Sequence, residues 1–137
     1  MALHKTENEH PNADLVRRAH AAFKAGDQAE ISALFAEDIV WTVGGEGPQT
    51  GTTVGMANVM ANFGEIMAMT EGTYFADPVD YIGSDDHSIN ISHLTAKRPD
   101  GRSIDIHEAV IFRVRDGKLA EAQHIAYDEK AWEDFFA

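Results

Sequence analysis

The sequence contains no cysteine. It therefore has no disulfide frame, no thiolate nucleophile and no cysteine-ligated metal. Basic residues are scarce, 11 against 23 acidic ones, which leaves a net charge of −12 over 137 residues. That balance repels phosphate backbones and anionic bilayers, so neither nucleic acid nor a membrane is an expected partner. No run approaches the roughly 18 consecutive apolar residues of a membrane helix, and no internal repeat is visible. The opening M-A-L-H-K-T-E-N-E-H has neither the basic start nor the apolar core of a signal peptide. It reads as part of a flexible tail, residues 1–11, ahead of one domain over 12–137, and the expected setting is cytoplasmic.

What the chain does have is a change of period partway along. Leu15, Ala19, Ala22 and Phe23 recur at helical spacing behind a cap at Asn12 until Ala25-Gly26 ends the run. Asp27 caps a shorter helix with Ile31, Leu34 and Phe35 on one side, ending near Ala36. Ile39–Val43 reads as a strand, and G-G-E-G-P-Q-T-G after it as a loop. That loop matches neither nucleotide fingerprint, so it is not read as a phosphate cradle. Thr53 or Thr52 then caps a third helix to about Met69, with Val54, Met56, Ala57, Met60, Phe63, Ile66 and Met67 as its apolar stripe. Its methionines suit packing against a sheet, or the wall of an adaptable ligand cavity.

From Gly72 onward strands take over: Thr73–Ile82, His87–Lys97, and the two arms of R-S-I-D-I-H-E-A-V-I-F-R-V-R-D-G-K-L-A-E-A-Q-H-I-A-Y. Arg98-Pro99-Asp100-Gly101 is a type I turn by its proline and glycine, so these strands form an antiparallel meander. The last hairpin admits two registers. A three-residue loop, Arg115-Asp116-Gly117, sets Glu108 opposite His124, whereas a two-residue Asp116-Gly117 loop sets Ile125 there instead. With the first form, Ser92, Glu108 and His124 share a row, next to Asn90, Val110 and Ala122. The other face then carries Ile89, Ile91, His93, Asp105, His107, Ala109, Ile111, Gln123 and Ile125. Both faces are partly apolar, and both need a cover. A terminal helix over 129–136 brings Trp132, Phe135 and Phe136, read as a lid or an inter-subunit plug.

The segments A-G-D-Q-A-E-I-S-A-L-F-A-E-D-I-V-W and V-I-F-R-V-R-D-G-K-L-A-E, with the glycine loop between them, carry a resemblance over nearly the whole chain. It resembles the nuclear-transport-factor-2-like superfamily, and within it the SnoaL-like polyketide-cyclase and ketosteroid-isomerase-like proteins. The resemblance implies an α+β, cone-shaped domain whose N-terminal helices pack on a strongly curved mixed β-sheet enclosing a pocket. Where ketosteroid isomerases place a tyrosine on helix one and two aspartates on strands, this sequence has Ala19 or His20, Val43 and Val110, so that activity is not expected. Where SnoaL-like cyclases carry an acidic group on the last strand, a few residues past G-K, this sequence carries His124.

A histidine beside a carboxylate in an apolar cavity is suited to general acid–base chemistry, because the carboxylate orients the imidazole and raises its basicity. Glu108 and His124 are the expected proton-transfer pair, with Trp41, Asn90, Ser92, Met60, Phe63, Val110 and Phe112 as ligand contacts. The expected activity is that of an isomerase, cyclase or hydratase acting on a small apolar organic molecule with no cofactor. The alternative is a binding or accessory module that dimerises and catalyses nothing. A homodimer through the outer sheet face is expected in either case. His93, His107 and Asp105 on that face read as polar interface residues, and no metal site is expected.

Overall fold

The structure, a computed structural model, describes residues 10–137. Residues 1–9, most of the expected tail, lie outside the described residues. Helix α1 (Pro11–Ala25) is capped by His10, whose side chain accepts from the Asn12 N–H, with proline opening the first turn. Asn12 is therefore not the cap. It lies inside the first turn, and its amide donates to the Ser84 and Asp85 carbonyls at 2.7 and 3.2 Å, tying the helix to a distant turn. Gly26 ends α1 in the left-handed region at φ 66, and Asp27 caps α2 (Gln28–Leu34) by accepting from the Glu30 N–H.

Strand β1 (Phe35–Val43) starts four residues earlier than its Ile-Val-Trp core suggests, because Phe35 and Ala36 turn extended as soon as α2 stops. At the end of the glycine-rich stretch begins a further strand, β2 (Gly51–Val54). Thr52 and Thr53 pair antiparallel with Thr42 and Trp41, so neither caps a helix. Gly55 holds the cap position of α3 (Met56–Met69) without a side-chain bond. Most of the expected stripe of α3 faces inward: Ile66 is buried and Met56, Met60 and Phe63 pack on the core, joined by the unexpected Val59 at 2% exposure, while Val54, Ala57 and Met67 remain exposed.

Strands β3 (Phe75–Gly83), β4 (His87–Lys97), β5 (Ser103–Arg115) and β6 (Lys118–Ala126) complete a six-stranded mixed sheet in the order β2-β1-β6-β5-β4-β3. The meander runs antiparallel, and β1 joins β6 in parallel. Helix α4 (Glu129–Phe136) closes the chain behind an Asp128 cap. This is the expected α+β architecture, helices followed by a curled mixed sheet. The β4–β5 connection is a three-residue loop in which the Arg98 N–H donates to the Arg102 carbonyl, and Ser92 stands opposite Glu108 as expected.

The β5–β6 hairpin follows neither expected register. Asp116 and Gly117, at φ 53 and 73, form a two-residue turn between Arg115 and Lys118. Positive φ at both central positions is the type I′ geometry that matches strand twist. One step later the pairing slips: Val114 faces Leu119 but Arg113 faces Glu121, so Ala120 is an extra residue in the strand. His124 consequently faces Val110, and Glu108 faces Ala126. The rows on the concave face are Ser92–Glu108–Ala126 and Asn90–Val110–His124.

The helices fill and close that concave face. Two clusters form the core: one joins α1, α2 and β1 around Phe35, Ile39 and Trp41, and the other seats α4 on Leu94, Ile104 and Ile106. Trp132, Phe135 and Phe136 are 2–5% exposed within the chain itself, which makes them a lid on their own sheet.

Candidate functional site

The curl of the sheet and the helices above it enclose a cavity of about 480 Å³. Its floor is the concave face of β4, β5 and β6, which contribute Asn90, Glu108, Val110, Phe112 and His124. Strand alternation aims those side chains the same way. Trp41 forms a wall, packed edge-to-face on Phe63 at 5.0 Å and on Phe112 at 5.5 Å between ring centres. Such pairs fix ring positions more tightly than burial alone. Met60 completes this side.

Glu108 and His124 are 5% and 7% exposed, and His124 Nε2 lies 2.6 Å from Glu108 Oε2. A carboxylate only accepts, so Nε2 carries the proton of that bond and Nδ1 is the basic nitrogen of the neutral ring. The imidazole lies against the Trp132 indole, with centres 4.3 Å apart and planes 37° apart. Lid and carboxylate together hold the ring.

Tyr74 adds a third member. Burial, then the charge of Glu108 and the hydrogen bond to it, push the Tyr74 phenol well above its ordinary range. It therefore stays an O–H beside the carboxylate. His20 is a further polar residue of the lining, and its Nδ1 lies 2.8 Å from the hydroxyl of Tyr81 behind it. Burial above all, and with it the nearby Asp77, pushes Tyr81 up to about 12 against the pull of Arg17, so Tyr81 is the donor. Burial, then the charge of Lys24, lowers His20, while the Ala76 carbonyl accepts from the ring and opposes the shift. The net shift is downward, so His20 is neutral at pH 7.

Of the residues expected to contact a ligand, Trp41, Met60, Phe63, Asn90, Val110 and Phe112 all lie on the cavity with the Glu108–His124 pair. Ser92 does not reach it. It is 1% exposed, and its hydroxyl donates to Asn90 Oδ1 at 2.8 Å. Sequence reasoning missed Tyr74, which lies just before β3 begins, and Trp132 as a cavity residue. His20 had a signal, since it occupies one of the places where the resembled isomerases carry a tyrosine. On the outer face His93 and His107 stack at 5.1 Å, and His93 Nε2 bonds Asp105 Oδ1. Among the described residues no group of three His, Cys, Asp or Glu side chains is placed to hold a metal ion, and no helix is long and apolar enough to cross a membrane.

The comparisons with known proteins agree with this architecture. An uncharacterised protein of Mycobacterium tuberculosis (strain ATCC 25618 / H37Rv) is 34% identical over 125 residues, spanning 90% of this chain and 95% of its own. Bal32a, from a soil-derived mobile gene cassette, superposes with a TM-score of 0.86 at 32% identity over 93% of this chain and 97% of its own. An NTF2-like protein of unknown function from Burkholderia pseudomallei K96243 gives 0.79 at 19% identity, over 93% and 98%, and bears on the fold alone. More distant matches of the same fold include polyketide cyclase-like proteins. A family model described as a SnoaL-like domain matches residues 16–122. With that match over most of its length, and with the fold of an NTF2-like protein to agree, the chain belongs to the SnoaL-like family.

Proposed function

We propose that the cavity binds a small, largely apolar organic molecule and that Glu108 and His124 move a proton on it without a cofactor, in an isomerase, cyclase or hydratase reaction. The observation that carries this reading is the buried 2.6 Å bond between the two side chains, on the wall of a cavity lined mainly by rings and aliphatic groups. A C–H next to a carbonyl is the bond such a base attacks. Its proton passes to His124 Nδ1, and the imidazolium formed is stabilised by Glu108. The C–H electron pair becomes an enolate, whose oxygen needs a donor. Asn90 suits that role: its Oδ1 is occupied by Ser92, which leaves the amino group for the cavity. The proton then returns from His124 at a second carbon, or the enolate carbon attacks a second carbonyl, whose π electrons become an alkoxide that takes the proton from His124 as the ring closes.

Hydrogen–deuterium exchange tests this directly. A panel of aromatic and polyketide-like ketones is incubated with the protein in D₂O, and loss of the α-proton signal is followed by NMR. Exchange should accelerate with the native protein and fall about 10²- to 10⁴-fold in His124→Gln and Glu108→Gln. Acceleration that survives both substitutions would sink the pair. Binding without exchange would leave a module that only holds its ligand.

The same reading includes a homodimer through the outer sheet face in a cytoplasmic setting. All four helices contribute to the lining or closure of the concave side. On the convex side Ile89, Ile91 and Ile111 are half-buried and Ile125 is 41% exposed. A second copy of the chain would cover that apolar strip.

A further inference from the structure

The cavity lining carries a cation that the proton-transfer reading leaves unused. Lys24 stands in the last turn of α1, one helical turn beyond His20, and lines the cavity beside Gly26 and Gln28 where α1 gives way to α2. Its Nζ lies 4.6 Å from the centre of the Phe75 ring, which holds the ammonium against the apolar rim. Among the described residues none of the ion pairs includes Lys24. That is notable in a chain with 23 acidic side chains against 11 basic ones. Glu108, the carboxylate of the lining, is already engaged by His124 and Tyr74. The charge of Lys24 is felt at His20, whose protonation it opposes.

A cation in the last turn of a helix complements the helix dipole. That accounts for a basic residue there, but not for one laid over a ring at the edge of a cavity. We infer that the ligand is an organic acid, with a ring-shaped apolar body among Phe23, Trp41, Phe63 and Phe112 and a carboxylate held by Lys24. One ammonium with the Gln28 amide beside it matches a single negative charge, whereas a phosphate dianion would leave charge uncompensated. The inference rests on the proposed small-molecule reading of the cavity and narrows it. The acid group would also orient the molecule, because only one of its ends can meet Lys24.

Titration calorimetry with a naphthoate and its methyl ester separates the two. The native protein should bind the acid about fivefold more tightly than the ester, as a partly exposed charge contact allows. Added salt should erode that preference. Lys24→Met should abolish the preference while leaving ester affinity unchanged, and Lys24→Arg should keep it. Equal binding of acid and ester by the native protein, or an unchanged preference in Lys24→Met, overturns the inference and leaves the small-molecule reading standing. Failure of the native protein to bind either probe overturns both.

Discussion

His124 and Glu108 meet on a diagonal of the sheet. Glu108 is registered with Ala126 and His124 with Val110, yet their side chains close to 2.6 Å. The extra residue at Ala120 makes this possible. The two-residue turn alone would place Ile125 opposite Glu108 and turn His124 to the outer face; one inserted residue restores the parity and returns the imidazole to the cavity. The bulge is thus part of the site, although it lies four residues away in sequence.

Substitutions at Glu108 should separate charge from hydrogen bonding. Glu108→Gln keeps the shape and an acceptor oxygen for His124, so its stability in urea should fall by no more than about 1 kcal/mol while proton exchange is lost. Glu108→Leu strands two buried polar partners at a site only 5% exposed. It should be less stable by about 2–4 kcal/mol. A Gln variant as unstable as the Leu variant would mean that the charge itself holds the fold.

Much of the fold was legible in the sequence, and the misses share a cause. Helix α4, β4 and the cap at Asp27 follow from local signals: alternation, a capping side chain, a proline–glycine turn. Strand β2 has only four residues, opening on Gly51 and followed by Gly55, and is held by its pairing to β1 rather than by its own propensity. His10 displaced Asn12 as a cap because Pro11 suits the first helical position and Asn12 is needed by Ser84 and Asp85. The Ala120 bulge has no local sequence mark, so the register was unreadable. The cavity face survived because the true register differs from the three-residue form by two residues, an even number. Tyr74 went unnoticed because only the curl of the sheet brings it to Glu108.

Acid should weaken the fold through His20. In the unfolded chain a histidine protonates near 6.5; in the folded chain burial, and then Lys24, hold it neutral to lower pH. Below 6.5 the unfolded state therefore binds more protons, and stability falls as pH falls toward the lowered folded value. Above 6.5 the group contributes nothing. Urea midpoints at pH 7.5 and at pH 5 should differ less in His20→Gln than in the native protein, since the carboxylate contribution is common to both. An equal acid loss in the two proteins would show that His20 is not held neutral.

Gly83 marks the tightest contact between helix and sheet. A Cβ there would overlap the Ala13 nitrogen and come within 2.9 Å of the Asn12 carbonyl carbon, both backbone atoms of α1. Backbone cannot swing aside as a side chain can, so Gly83→Ala must push α1 off the end of β3. Stability should drop by about 1–3 kcal/mol. The cavity should change with it, because His20 and Lys24 ride on the same helix. Gly101, whose added Cβ would meet nothing within 4 Å but whose φ is +95, is the control: Gly101→Ala should lower stability by backbone strain of about 1 kcal/mol without altering ligand affinity. Equal effects of both substitutions on ligand affinity would count against a contact-driven shift of α1.

The outer face supplies the test of assembly. Ile91 faces Ala109 and Ile89 faces Ile111 across β4 and β5, and Ile125 extends the strip on β6. A charge introduced there in a monomer would meet water and alter stability little. In a dimer it would be buried against the partner's apolar strip, at a desolvation penalty. Ile111→Asp and Ile91→Asp should therefore convert a dimer mass in light scattering to a monomer mass, with circular dichroism unchanged. An unaltered dimer in both variants would move the interface elsewhere. A native protein that is monomeric at every concentration would leave the isoleucine strip uncovered and end the dimer reading.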